Sequence, residues 1–152
     1  NINARSNMLL GSMLAGKAFA NSPVAAVHAL AYPIGGLFNI SHGLSNSLVL
    51  SSVMKFNSKN EETKKKYAHL APYVFKNLDN SKNDEFLCNN FIDGLERLCK
   101  ELNLPYRLRD LEIPEEACKL MASEAMKQTR LLVNNPRKIE ESDAYTIYKS
   151  VW

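Results

Sequence analysis

Apolar positions recur at helical spacing along the whole chain, and no run of β-branched residues alternates between turn signals. In residues 5–20, Leu9, Met13, Gly16 and Ala20 form a stripe narrowed by small side chains, which predicts a helix packed closely on another helix. Ser22-Pro23 reads as a cap followed by proline at the first helical position, and Pro33 disfavours helical geometry in the residue before it. A short helix over residues 23–32 is therefore predicted. Residues 34–40 (IGGLFNI) then read as a glycine turn, with Ser41 capping an apolar helix over residues 42–56.

The second half is plainer. Asn60 caps a helix to residue 76; Leu87, Phe91, Leu95, Leu98 and Leu102 line a helix over residues 84–102 that ends before Leu104-Pro105. Pro114 opens a helix to residue 133, Asn134-Asn135-Pro136 ends it, and Ser142 starts a terminal helix closing at Trp152. Met8, Met13, Met54, Met121 and Met126 fall on core-like positions. The fold class is all-α, a helical bundle with sheet content close to nil.

At 152 residues and 45% hydrophobic, the chain is one domain, able to bury a core without metal or disulfide staples. Any metal therefore serves chemistry. Cys88, Cys99 and Cys118 form no C-x-x-C pair and are odd in number, which removes a cysteine zinc knuckle and points to a reducing cytoplasm. No apolar run is long enough to span a bilayer and none follows a basic start, so neither a membrane helix nor a signal peptide is read.

Charge is distributed unevenly. Up to Phe56 the only charged residues are Arg5, Lys17 and Lys55; from Asn57 onward sixteen basic and sixteen acidic residues balance. The last two thirds thus have an ordinary solvated surface, whereas the first third has the composition of an interior. Lys64-Lys65-Lys66 follows Glu61 and Glu62 and reads as a solvated helix face, so nucleic-acid binding lacks its electrostatic footprint.

Candidate chemistry sits in that first third. His28 and His42 are 14 residues apart on either side of the glycines, in surroundings of Ala, Val, Leu, Ile, Gly and Ser. The spacing alone is a weak metal signal, because a histidine on an apolar helix is more often a hydrogen-bonded core residue. With His28 near the end of one helix and His42 at the start of the next, a turn between them places both rings on one cavity. Two imidazoles leave a divalent ion under-ligated, no acid occurs in the first 56 residues, and His69 lies on a Lys-rich helix where a structural role is expected. Further ligands must come from outside this chain. Asn21, Asn39 and Asn46 are explained by caps and turns, Gly35-Gly36 by turn geometry, and no G-x-G-x-x-G fingerprint is present.

The residues AGKAFANSPVAAVHALAYPIGGLFNISHGLSN, with LPYRLRDLEI and the closing NNPRKIEESDAYTIYKSVW, resemble the iron-containing (group III) alcohol dehydrogenases. The resemblance covers essentially the whole chain. It implies the C-terminal helical metal-binding domain, residues 1–152, of a dehydroquinate synthase-like fold, with the N-terminal α/β domain that binds NAD(P) not present in this chain. It makes His28 and His42 two of the ligands of a divalent metal, Fe2+ or Zn2+. The other two ligands belong to a D-x-x-x-H motif farther upstream than this chain reaches; no Asp here has His four positions later. Many members also carry a histidine four residues after the first signature one, where this chain has Tyr32. A tyrosine there still offers a hydrogen bond, but with a reference pKa of about 10 it relays protons poorly near neutrality.

The function implied is a metal-dependent NAD(P) alcohol dehydrogenase or carbonyl reductase acting on a small alcohol or carbonyl substrate, with this chain supplying the metal-side wall. Alternatives are a maleylacetate reductase-like or hydroxyacid-oxoacid transhydrogenase-like activity on the same scaffold, or a helical scaffold without catalysis. The oligomeric state, a homo-oligomer included, stays open at this stage.

Overall fold

The computed structural model describes residues 1–79 and 81–152. Its elements are α1 (Ile2–Asn21), α2 (Ala26–Phe38), α3 (His42–Asn57), α4 (Glu61–Val74), α5 (Asp84–Glu101), a 3-10 turn (Leu108–Leu111), α6 (Ala117–Met126), α7 (Thr129–Leu132) and α8 (Glu141–Ser150). No strand occurs among the described residues, in agreement with the all-α reading.

Two apolar cores share α3. Val49, Val53 and Phe56 join Leu30 and Ile34 of α2, Met121 of α6 and Tyr148 of α8 in the larger core. Met54, one position from Val53, faces the smaller one with Ala68 and Ala71 of α4 and Leu87, Phe91 and Ile92 of α5. A helix buried on two sides explains why residues 42–56 contain a single charge, Lys55. Asn60 and Asn83 cap α4 and α5, their side-chain oxygens accepting from the N–H of Thr63 (3.0 Å) and Phe86 (2.9 Å). The close of the NNPR segment is specific as well. Asn57 and Asn135 exchange amide hydrogen bonds of 3.1 and 2.7 Å, and the Arg137 guanidinium lies 3.8 Å from the Phe56 ring centroid.

Four expectations are corrected. Pro33 does not end α2, which continues to Phe38 with Pro33 buried inside it. An internal proline costs about 3 kcal/mol, and here burial of Ile34 and packing of Phe38 beyond it offset that cost. Gly35 and Gly36 are consequently helical, and only residues 39–41 separate α2 from α3. The start of α2 also moves: Ser22 closes α1, its N–H bonding to the Ala18 carbonyl (2.9 Å), and α2 opens at Ala26 without a side-chain cap.

The helix expected from Pro114 to residue 133 is two, because Gln128 takes non-helical angles (φ −83°, ψ 49°) between α6 and α7. Finally, α1 buries no residue against the described parts of this chain, and Ile2, Met8, Leu9, Leu10, Met13, Leu14 and Phe19 are all exposed. Met8 and Met13 are therefore not core residues here, unlike Met54 and Met121.

Candidate metal centre

His28 is the third residue of α2, in its first turn rather than at its C-terminal end, and Tyr32 follows at i+4 on the same face. His42 opens α3. The chain must therefore double back along α2 for the rings to meet, and Gly35 permits it: a Cβ there would stand 3.2 Å from the Ile40 carbonyl oxygen. Asn39 makes the reversal in the left-handed region (φ 56°), and the Ser45 hydroxyl, buried, is within hydrogen-bonding reach of the carbonyls of Ser41 (3.0 Å) and Ile40 (3.3 Å). The result is that the His42 ring centroid lies 5.1 Å from that of His28, at 53°, and 6.1 Å from that of Tyr32, at 36°.

Asn46, one turn beyond His42, fixes the ring. Its Nδ2 stands 3.0 Å from His42 Nε2 and 3.0 Å from the His42 carbonyl oxygen. An amide NH2 only donates, so Nε2 accepts here and the ring proton is assigned to Nδ1 by this network; for Nε2 to ligate a metal, Asn46 must give up that contact and keep its bond to the His42 carbonyl. The other end of the same amide, Oδ1, is buried with no hydrogen-bond partner among the described residues. Sequence reasoning treated Asn46 as a cap residue and Gly35 as a turn glycine; the available signal for Asn46 was its i+4 spacing from a histidine that opens a helix.

Half-burial, and then the like charge of a protonated His42, push the pKa of His28 below that of an ordinary histidine. No carboxylate precedes Glu61 in sequence. His28 is thus biased to the neutral imidazole, the form that ligates a metal. The donor set fits half of a divalent-ion site: two imidazoles side by side, with no group of three His, Cys, Asp or Glu residues among the described ones positioned to hold an ion. His69 is elsewhere. It is exposed on α4, and its ring packs on Tyr73 at 5.6 Å. Asn21 is exposed and donates to the Lys17 carbonyl (2.8 Å), and Asn39 is the left-handed residue ending α2.

Comparison with known proteins decides the family. The model of the C-terminal part of the Fe-containing alcohol dehydrogenase family matches residues 1–152. The chain belongs to this family. Among its relatives, a long-chain-alcohol dehydrogenase 1 of Geobacillus thermodenitrificans is 37% identical over 98% of this chain and 37% of its own length. A 1,3-propanediol dehydrogenase of Citrobacter freundii is 33% identical over 100% of the chain and 38% of its own. The crystal structure of a 1,3-propanediol oxidoreductase superposes with a TM-score of 0.92 at 31% identity, over all of this chain and 39% of that one. The chain thus spans well under half the length of these iron-containing-type alcohol dehydrogenases, and the fold it shares with them is that of their C-terminal part.

Proposed function

We propose that the longer protein to which this chain belongs is a metal-dependent NAD(P) alcohol dehydrogenase or carbonyl reductase, and that this chain forms the metal-side wall of its substrate cleft. The observation that carries the reading is the convergence of His28, His42 and Tyr32 across the α2–α3 connection. Names of relatives, from long-chain-alcohol dehydrogenase to lactaldehyde reductase, support alcohol or carbonyl substrates.

In this reading His28 and His42 hold a divalent ion; imidazole suits both iron and zinc, with intrinsic affinity favouring zinc. When bound, the ion supplies Lewis-acid polarisation of the substrate oxygen, and the nicotinamide supplies the hydride acceptor or donor. The Tyr32 hydroxyl, on the same face as His28 and beside the His42 ring, can hydrogen-bond a substrate or cofactor oxygen.

The remaining ligands and the nucleotide-binding domain are assigned to the upstream part of the protein. Exposed α1 supports this, since Met8, Leu9, Leu10, Met13, Leu14 and Phe19 form an uncovered apolar surface of the kind that marks an interaction site. Purified full-length protein is expected to oxidise small alcohols with NAD or NADP and to lose that activity to a chelator. A full-length protein that binds metal but turns over no alcohol, aldehyde, maleylacetate or hydroxyacid would leave the scaffold reading standing instead.

A further inference from the structure

A second cavity, on the far side of α3 from His42, has no part in the reading above. Ser47, Ser51, Lys55 and Lys59 follow one another at i+4 spacing, giving a stripe of two hydroxyls and two ammonium groups. Ser51 is nine positions from His42, about two and a half helical turns, so the stripe lies on the opposite face. Across from it α8 contributes Thr146 and Ser150, and the Ser52 and Ser150 hydroxyls meet at 3.0 Å. Glu96 and Lys100 of α5 form a third side, residues 105–107 a fourth, and Leu48, Phe56, Ile147 and Val151 an apolar floor. The open cavity has a volume of about 410 Å³, within the range of about 300–1,000 Å³ usual for small-molecule sites.

The charges define the ligand. Among the lining residues Lys55, Lys59, Lys100 and Arg107 stand against Glu96 and Asp143, and Asp93 adds a carboxylate 3.8 Å from Lys55 Nζ. Glu96 is already engaged by Lys100 (3.0 Å) and Lys55 (3.1 Å), which hold its carboxyl below the usual range, and Asp143 accepts from the Glu140 N–H (3.0 Å). The side chains of Lys59 and Arg107 form no ion pair among the described residues, although the Arg107 backbone N–H donates to the Asp110 carboxylate (3.2 Å). The Tyr106 ring gathers Lys100 and Arg107 beside it, at 5.4 and 5.9 Å from its centroid. The Ser47, Thr146 and Ser150 hydroxyls donate to carbonyls of their own helices (2.8, 2.8 and 2.7 Å), which leaves the cations to select the ligand. Two cations free of side-chain ion pairs, over an apolar floor, match a phosphate monoester, whose charge near neutrality is about −1.5 to −2. A carboxylate would answer only one of them.

We propose that the cavity between α3, α5 and α8 binds a phosphate-bearing small organic molecule, with Arg107 and Lys59 on the phosphate and the apolar floor under the organic part. The site is separate from the histidine pair, and its test is independent of whether that pair holds a metal. Cys99 lines the cavity and is half-buried, so it serves as a reporter. In the full-length protein, Cys99 alkylation by iodoacetamide is followed by mass spectrometry while inorganic phosphate or phenyl phosphate replaces chloride at constant ionic strength, with equilibrium dialysis of labelled phosphate alongside.

The expected result is saturable protection and binding, with phenyl phosphate effective at several-fold lower concentration. Arg107→Ala should need at least tenfold more ligand, and Ser51→Leu, which fills the cavity, should abolish protection. Comparison between variants separates this site from phosphate binding elsewhere in the protein. Protection that never saturates, that is equal for the two phosphates, or that survives unchanged in both variants would overturn the proposal.

Discussion

The Tyr148 hydroxyl donates to the backbone carbonyl of Leu30 at 2.6 Å, tying the last helix to the turn of α2 that carries His28 and Tyr32. Pro33 lacks the N–H that the Ala29 carbonyl would otherwise accept, and its ring opens this turn. Tyr148 bonds the next carbonyl along. The phenol is fully buried, and burial raises its pKa well above that of free tyrosine, so it remains a donor at any physiological pH. Geometry at the histidine pair thus depends on a residue more than a hundred positions away.

Tyr148→Phe keeps the ring and removes only this donor. Loss of one buried hydrogen bond costs about 0.5–1.5 kcal/mol, so the urea midpoint of the full-length protein should fall with helical content unchanged. An unchanged midpoint would show that the bond contributes nothing to the turn.

Gly35 and Gly36 are adjacent helical glycines with opposite expected behaviour. A methyl at Gly35 meets the Ile40 carbonyl at 3.2 Å, whereas one at Gly36 meets nothing within 4 Å. Gly36→Ala should stabilise by up to about 1 kcal/mol through helix propensity. Gly35→Ala should gain none of that and should displace residues 39–41, lowering metal affinity in the full-length protein. Equal effects of the two substitutions on metal affinity would contradict the role given to Gly35.

These glycines also show what the sequence could and could not convey. Asn60, Asn83 and the heptad-like leucines of α5 made those helices legible, because caps and apolar periodicity are local properties. Pro33 misled for a complementary reason: its local penalty is real, but packing of Ile34 and Phe38 against distant helices outweighs it. Met8 and Met13 were read as core residues because apolar periodicity tells which face of α1 wants burial, not where its partner is. The histidines themselves were visible as a pair, while Asn46 and Gly35 took their meaning only from the doubling back of residues 39–41.

Gly94 is the tightest glycine of the smaller core. A Cβ there would lie 2.6 Å from the Phe75 ring, so Gly94→Ala should destabilise the α4–α5 pair by about 1–3 kcal/mol through overpacking. Combining it with Phe75→Leu should recover part of that loss in thermal denaturation, as expected of residues in contact. Strict additivity would argue against the clash.

The exposure of α1 predicts a contrast between the isolated chain and the whole protein. In the isolated 152-residue chain, limited proteolysis should cut within α1 first, and neither NAD nor NADP should support alcohol turnover. In the full-length protein α1 should be protected. Turnover by the isolated chain, or α1 cut equally fast in both contexts, would place the partner of α1 and the catalytic groups wrongly.

Metal content of purified full-length variants tests the histidine assignment most directly. His28→Ala and His42→Ala should each lose the ion while retaining helical content by circular dichroism, because each removes one of two adjacent imidazole ligands. His69→Ala should retain it, since that ring is on α4 against Tyr73. Loss of metal in His69→Ala with retention in His28→Ala and His42→Ala would contradict the account.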